Sequence, residues 1–304
     1  MRSTFVHQLL EYAKINSNII LVTGDLGYSV LERFQQELPA QFINAGIAEQ
    51  NMTGFAAGLS LNNKIVFTYS IANFPTLRCL EQIRNDICYH HLNVKIVSVG
   101  SGFSYGTQGY THHGIEDLAA LRALPNMQIF SPACPEEVKW SIEKMMQYNG
   151  PCYLRLAKQG EPSLHPTQIN FNATGVFPLI TGYKNTILAT GSIVGAIYNW
   201  IKKSNLELNL ISTPVIKPFN KDFLEPFLEN ATYVCTVEEH QLNGGFGSAV
   251  LENVNDLFVS KQMAFFPYIY RLGINDEIIP DMTSEKYAEM MIQKLNSIYL
   301  NHLT

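Results

Sequence analysis

The feature that most narrows the fold is an alternation of short apolar runs with longer helical patterns. NIILVTGDLG (18–27), QFINAG (41–46), KIVFTYS (64–70) and VKIVSVG (94–100) read as buried strands. They are short, rich in β-branched residues and bounded by turn residues. Helical spacings surround them. Residues 3–15 place Phe5, Val6, Leu9, Leu10 and Ala13 on one face, with Ser3 available as N-cap. Another helix follows QFINAG, and 75–90 mixes core positions (Leu77, Leu80, Ile83, Ile87) with charges (Arg78, Glu81, Arg84). A helix at 115–123, a strand near 127–131, a helix at 135–148 and a strand at 152–156 continue the pattern. Apolar strands separated by helices predict a parallel sheet covered on both faces.

Periodicity breaks between about 158 and 183, where QGEPSLHPTQINFNATGVFP has the Pro, Gly, Asn and Thr of an interdomain connection. A second series follows: strand 186–190, helix 193–203, strand 206–212, helix 220–229, strand 232–238, helix 245–258, a strand around 265–271 and a helix from about 284 to 300. The reading is α/β, with two domains, each a mostly parallel sheet flanked by helices: 1–160 and 184–304, joined by a linker at 161–183. A length of 304 residues supports two cores. The net charge of −5 and pI near 5.9 give no electrostatic footprint for nucleic acid or an anionic membrane. No apolar run approaches the ~18–20 residues of a spanning helix, and MRSTFVHQLLEYAK is amphipathic and unlike a signal peptide. Cys79, Cys88, Cys134, Cys152 and Cys235 are scattered and never spaced CxxC. They read as buried thiols, so the expected compartment is cytoplasmic.

Ligands of a parallel sheet collect at the carboxyl ends of its strands. The turns there are 24–29, 44–49, 68–74 and the long loop GSGFSYGTQGYTHHG (100–114), and loops of that length usually carry function. Together they offer Asp25 and Glu49 as an acid pair, the aromatics Tyr69, Phe74, Phe103 and Tyr105, and the adjacent His112 and His113. Within FINAGIAEQNMTGFAAGL (42–59), Glu49 begins a helix whose Gly54, Ala56, Ala57 and Gly58 suit close packing against a partner. A carboxyl group that is poorly hydrated and lacks a fixed cation can share a proton with a ligand nitrogen. Blander readings stand beside these: a helix-start acid favoured by the macrodipole for Glu49, a solvated loop for the histidines, a core ring for Phe74. No His/Asp/Glu set has metal-ligand spacing on one element. GSGFSYG is not a dinucleotide fingerprint, and neither a Walker motif nor a serine nucleophile elbow occurs. Spacing alone gives a ligand cleft and no reaction.

GDLGYS (24–29), GIAEQNMTGFAAGL (46–59), EQIRND (81–86), YTHHGIEDLAALRALPNM (110–127), GPCYLRLAK (150–158), ATGSIVGA (189–196), VIKPFN (215–220) and TVEEHQLNGGFGSAV (236–250) together resemble the C-terminal half of transketolase, nearly end to end and in register. The resemblance implies a thiamine pyrimidine-binding domain followed by a transketolase C-terminal domain, with thiamine diphosphate as cofactor. It implies that Glu49 hydrogen-bonds N1′ of the aminopyrimidine, favouring the imino tautomer whose 4′ nitrogen takes the thiazolium proton. Phe74 falls where the family stacks a ring on the pyrimidine. Ile71 stands where a second Phe is frequent and can pack but not stack, and Arg78 completes the cofactor-binding set. The family's diphosphate-binding domain carries a GDG motif and a downstream Asn, and no GDG occurs here. The implication is a two-chain enzyme. A separately encoded N-terminal subunit holds the diphosphate with its Mg2+ or Ca2+, this chain holds no metal, and self-association gives an α2β2 heterotetramer, nearly inert without the partner.

The same resemblance puts Arg2 and Ser29 on sugar-phosphate positions. Lys158 stands where an Arg is usual, keeping the charge and losing the bidentate fork. The loop His that joins them in the family is Gly100 here. His112 keeps the position that contacts donor oxygens and joins Glu49 as a candidate catalytic residue. His113 replaces a Gln, and Gln108 replaces an Asp that reads a sugar hydroxyl. Losing an imidazole and a carboxylate changes which hydroxyls and anions a pocket accepts. The implied function is transfer of a two-carbon ketol unit between sugars, with a modified, branched or nucleotide-linked sugar, or a shorter acceptor, as open substrates. Two alternatives stand beside it. One is a 2-ketoacid-decarboxylating relative of the deoxyxylulose-phosphate synthase or ketoacid dehydrogenase beta subunit type, disfavoured by EQIRN and by length. The other is a non-catalytic regulatory or assembly subunit.

Overall fold

The computed structural model describes residues 1–158, 160–165, 174–228, 231–261 and 266–302. Six parallel strands build most of the first sheet: β1 (Ile19–Thr23), β2 (Phe42–Asn44), β3 (Ile65–Ile71), β4 (Val94–Val99), β5 (Gln128–Phe130) and β6 (Cys152–Leu156), in the order β5-β6-β4-β3-β1-β2. β1, β4 and β6 are buried at every position, as a sheet covered on both faces requires. Its helices are α1 (Arg2–Ile15), α2 (Glu32–Glu37), α3 (Glu49–Leu61), α4 (Leu80–Gln82), α5 (Asp117–Arg122) and α6 (Pro135–Gln147), with a π-helical turn at Ile83–Cys88. The buried face of α1 is Phe5, Val6, Leu9, Leu10 and Ala13, as its spacing predicts, but the helix begins at Arg2, so Ser3 lies inside the first turn and caps nothing. The expected helix over 75–90 is a composite of 3-10, α and π turns.

The second sheet has the order β12-β11-β8-β9-β7. Its strands are β7 (Phe177–Ile180), β8 (Asn185–Ala189), β9 (Leu208–Ser212), β11 (Tyr233–Gln241) and β12 (Tyr268–Ile274), packed by α7 (Ile193–Ser204), α8 (Glu225–Leu228), α9 (Phe246–Lys261) and α10 (Ser284–Asn301). All pairings are parallel except that of β7 with β9. β7 falls inside the stretch read as a linker. Its Pro178 sits on a sheet edge, where proline is tolerated. Residues 166–173 of that stretch, and the ends of the expected elements at 229 and 265, lie outside the described residues. β10 (Val215–Lys217) crosses back and pairs antiparallel with β5, closing the edge of the first sheet with a strand from the second half. All five cysteines are free and buried, and no described helix is long and apolar enough to cross a membrane.

Candidate functional site

The order β4-β3-β1-β2 sets the carboxyl ends of four strands side by side, and their loops meet. Gly24 lies against Glu49: a Cβ there would approach Glu49 Cγ and Oε1 to 3.7 Å. Asn44 Nδ2 donates to Asp25 Oδ1 at 2.9 Å, joining the turns after β1 and β2. Asn73 Nδ2 donates to the His113 carbonyl at 2.7 Å, tying the turn after β3 to the 100–114 loop. Within that turn Ala72 takes φ +38°, a left-handed conformation that costs a residue with a Cβ about 1–2 kcal/mol. Its carbonyl is held by Ser98 Oγ at 2.9 Å and Thr76 Oγ1 at 3.2 Å.

Glu49 opens α3 and is only 3% exposed. Its Oε2 accepts a hydrogen bond from Arg78 at 2.8 Å, and the same guanidinium lies 4.4 Å from the Phe74 ring centroid. The expectation of a carboxyl without a fixed cation is thereby corrected, since half-exposed Arg78 supplies one. The expected acid pair is corrected too, because Asp25 turns to Asn44 and Tyr28. Half-buried Phe74 meets the His112 ring at 5.3 Å, His112 meets Tyr105 at 6.0 Å, and Lys158 Nζ lies 5.2 Å from the Tyr105 centroid. Glu49, Arg78, Phe74, His112, Tyr105 and Lys158 thus form one row of contacts. Arg2 belongs to its far end: its charge acts on Tyr105 and Tyr69, and its Nε is buried with no hydrogen-bond partner among the described residues. Ile71 is half-buried at the end of β3, and its carbonyl receives the Phe74 N–H at 2.9 Å. Ser29 and Gln108 are exposed on their loops and are not drawn into the row.

His113 departs from the solvated-loop reading. It is fully buried, with Nε2 2.9 Å from the Gly106 carbonyl and its ring 5.0 Å from Phe103. The loop that carries both histidines rests on the second domain. Gly102 has φ +58°, and a Cβ there would strike the Glu239 side chain at 2.6 Å. Fully buried Arg155 donates to the carbonyls of Gly114 at 2.6 Å and Glu239 at 2.9 Å, and to Asp117 Oδ2 at 2.8 Å, which also receives Tyr153 OH. Glu238 accepts the N–H groups of Phe246 and Gly247 at the start of α9, yet burial pushes its carboxyl up to about 7. His240 Nε2 lies 3.8 Å from Asp117 Oδ1, and burial pushes its imidazole down to about 4. In the sequence this segment stands out only as a family motif. Its physical signal is three consecutive ionisable residues inside an apolar strand.

The small-residue face of α3 is narrower than expected. Ala56 and Ala57 pack into the domain's own core, while Gly54 and Gly58 face open space beside exposed Phe55 and Ile47. Among the described residues Cys134, Glu137 and His165 bring ligand atoms within 4.8 Å of one another, a grouping from two segments that spacing on one element does not reveal. The Glu137 carboxylate there is taken by the Ala133 N–H at 2.8 Å and by His165 at 3.1 Å, so both its oxygens are engaged within the chain.

Residues 1–162 match the family model for the transketolase pyrimidine binding domain, and residues 180–296 match that for the transketolase C-terminal domain. A subunit of the apulose-4-phosphate transketolase of Actinobacillus succinogenes is 34% identical, over 83% of this chain and 82% of the relative. A putative transketolase C-terminal section of Methanocaldococcus jannaschii is 34% identical over 91% and 86%. The 6-deoxy-6-sulfo-D-fructose transketolase subunit SqwH of a Clostridium species is 30% identical over 83% and 80%. Among solved structures, a split-gene transketolase described as an inactive beta4 tetramer superposes with a TM-score of 0.80 and 32% identity, covering 96% of this chain and 92% of that one. Two domain matches in chain order, on two sheets of the expected kind, carry the conclusion that this chain belongs to the transketolase family, whose cofactor is thiamine diphosphate.

Proposed function

We propose that this chain is the pyrimidine-binding subunit of a two-chain transketolase, which moves a two-carbon ketol unit between sugars and acts only with a separately encoded diphosphate-binding partner. The observation that carries the reading is the Glu49–Arg78–Phe74–His112 row at the carboxyl edge of the sheet. Its residues fit the pyrimidine of thiamine diphosphate. Glu49 is buried, yet only its Oε2 is engaged by Arg78, and the missing Cβ of Gly24 leaves the carboxyl approachable. Bound there, the cofactor supplies an acidic thiazolium carbon and an electron sink. This chain's part is to share a proton at the pyrimidine nitrogen through Glu49, to pack the ring with Phe74 and Ile71, and to fix Glu49 through Arg78. His112 faces the donor oxygens, while Arg2, Ser29, Gln108 and Lys158 bind the sugar further out.

The names of the relatives support the remaining assignments. One is a subunit of an enzyme named for apulose-4-phosphate and another a subunit of one named for 6-deoxy-6-sulfo-D-fructose, which favours a modified, anion-bearing sugar. The beta4 neighbour described as inactive supports a catalytic unit completed by another chain that holds the diphosphate and its Mg2+ or Ca2+, in an α2β2 assembly. The first domain of that unit is 1–160, the second begins with β7 at Phe177 and not at 184, and the free buried thiols suit a cytoplasmic setting. The test is ketol transfer by the chain alone and after mixing with its partner. Turnover is expected only in the mixture, and high activity from the lone chain overturns the two-chain reading.

A further inference from the structure

We propose that Tyr105 sets substrate choice at the far end of the cleft, closing a pocket for a sugar tipped with a tetrahedral oxyanion, phosphate or sulfonate. This rests on the transketolase reading above and deepens it. Gly100 has φ +95°, and a Cβ there would overlap two carbons of the Tyr105 ring. The ring therefore occupies the space that any side chain at 100 would need. The family's imidazole at that position and this phenol exclude each other.

The chain fixes the ring in place. The Gln108 N–H donates to the Tyr105 carbonyl at 3.0 Å, the Gly106 N–H to the Phe103 carbonyl at 2.8 Å, and His112 bounds one side of the ring. Lys158 Nζ lies 5.2 Å from the ring centroid, and the Arg2 charge reaches the phenol from α1. Arg2 and Lys158 are both half-buried, and neither has an ion-pair partner among the described residues. Two partly desolvated cations that the chain leaves uncompensated call for an anion from outside. Beside these cations Tyr105 offers one neutral donor, its proton held firmly because burial pushes the phenol up. With a point-charge Lys in place of a guanidinium fork, such a pocket recognises a tetrahedral oxyanion by charge and size more than by a planar bidentate match.

The experiment measures kcat/KM of the reconstituted two-chain enzyme for a ketose phosphate, a ketose sulfonate and a neutral ketose of equal length. Tyr105→Ala is expected to cut the preference for the anion-tipped sugar at least about tenfold, and Tyr105→Phe severalfold. The anionic substrate that suffers more identifies the natural oxyanion. An unchanged preference ratio in Tyr105→Ala overturns the proposal. A binding arm separates this outcome from failure of the transketolase reading. Inorganic phosphate and sulfate, titrated into the lone chain, should shift the Gly100 and Tyr105 backbone resonances, less so in Lys158→Met. No shift with either anion overturns the pocket even if no sugar is turned over. Gly100→His should lower Tm, and Tyr105→Gly in the same chain should recover part of the loss. Failure to recover shows that the two side chains do not compete for one space.

Discussion

Two clusters of charge lie at either side of the 100–114 loop, and they are built on opposite terms. Beneath the loop, Arg155 and Asp117 are each 2% exposed and bonded to each other, to Tyr153 and to carbonyls of both domains. Above it, Glu49 is equally buried, but its cation, Arg78, is 47% exposed and its neighbour Phe74 is half-buried. The lower cluster finds its cation and most of its hydrogen bonds within the chain, Asp117 Oδ1 alone of the pair's carboxylate oxygens lacking a partner among the described residues. The upper one, the proposed half-site, is open: one Glu49 carboxylate oxygen has no hydrogen-bond partner among the described residues. A buried ion pair that also binds carbonyls of both domains holds them against a loop, whereas a pair with a solvent-exposed cation leaves its carboxyl open to a ligand.

The largest expected effect lies at Arg155. Arg155→Met leaves Asp117 buried without its cation and removes two carbonyl contacts, so unfolding should become easier by about 3–5 kcal/mol. Urea midpoints at fixed protomer concentration measure this, and a cost under about 1 kcal/mol would show that the lower cluster does not hold the domains. Next comes Glu49→Gln. In the reconstituted enzyme it should lower kcat roughly 10²–10⁴-fold while Tm stays close to that of the wild type. Near-normal turnover dismisses the proton-sharing role. A large fall in Tm assigns Glu49 to structure instead.

Much of this was legible in the sequence, and the failures share a cause. The buried face of α1 and the cores of β1, β4 and β6 follow from periodicity, because each element buries enough residues to leave a pattern. β10 and α2 bury too few. β10 is three residues whose partner, β5, lies far back in the chain, so pairing across domains leaves no local trace. The site shows the same limit. Glu49 stood out from its helix start, but its cation comes from 29 residues downstream on an irregular turn. His112 and His113 are adjacent with opposite fates. One faces the cleft, while the other is drawn inward by the Gly106 carbonyl and Phe103, a choice that spacing cannot register.

The residues around the lower cluster also make a pH signature. Glu238 keeps its proton in the folded chain up to about 7, so between roughly 4.5 and 7 the unfolded chain holds fewer protons there and stability falls as pH rises. His240 does the reverse. Its folded value of about 4 against an unfolded 6.5 makes stability fall as pH drops below 6.5. The slopes oppose each other across about pH 4.5–6.5. Glu238→Gln should unmask the histidine slope, steepening the loss of stability on acidification by up to about 1.4 kcal/mol per pH unit. Urea midpoints at pH 5, 6 and 7 that move in parallel with those of the wild type defeat this assignment.

The smallest effect belongs to the other ion pair and completes the contrast. Arg78→Met removes the cation from Glu49 as Arg155→Met removes it from Asp117, but Arg78 is 47% exposed, where solvent screens the pair and water can reach the freed carboxylate. The expected change in unfolding free energy is under about 1 kcal/mol. Because the Phe74 ring loses the guanidinium 4.4 Å from its centroid and Glu49 loses its anchor, the same variant should weaken thiamine diphosphate binding in the assembled enzyme severalfold. Titration of the cofactor alongside urea unfolding reads both. A stability loss as large as that of Arg155→Met would erase the distinction between a closed cluster and an open one. An unchanged cofactor affinity would remove Arg78 from the half-site while leaving Glu49 in it.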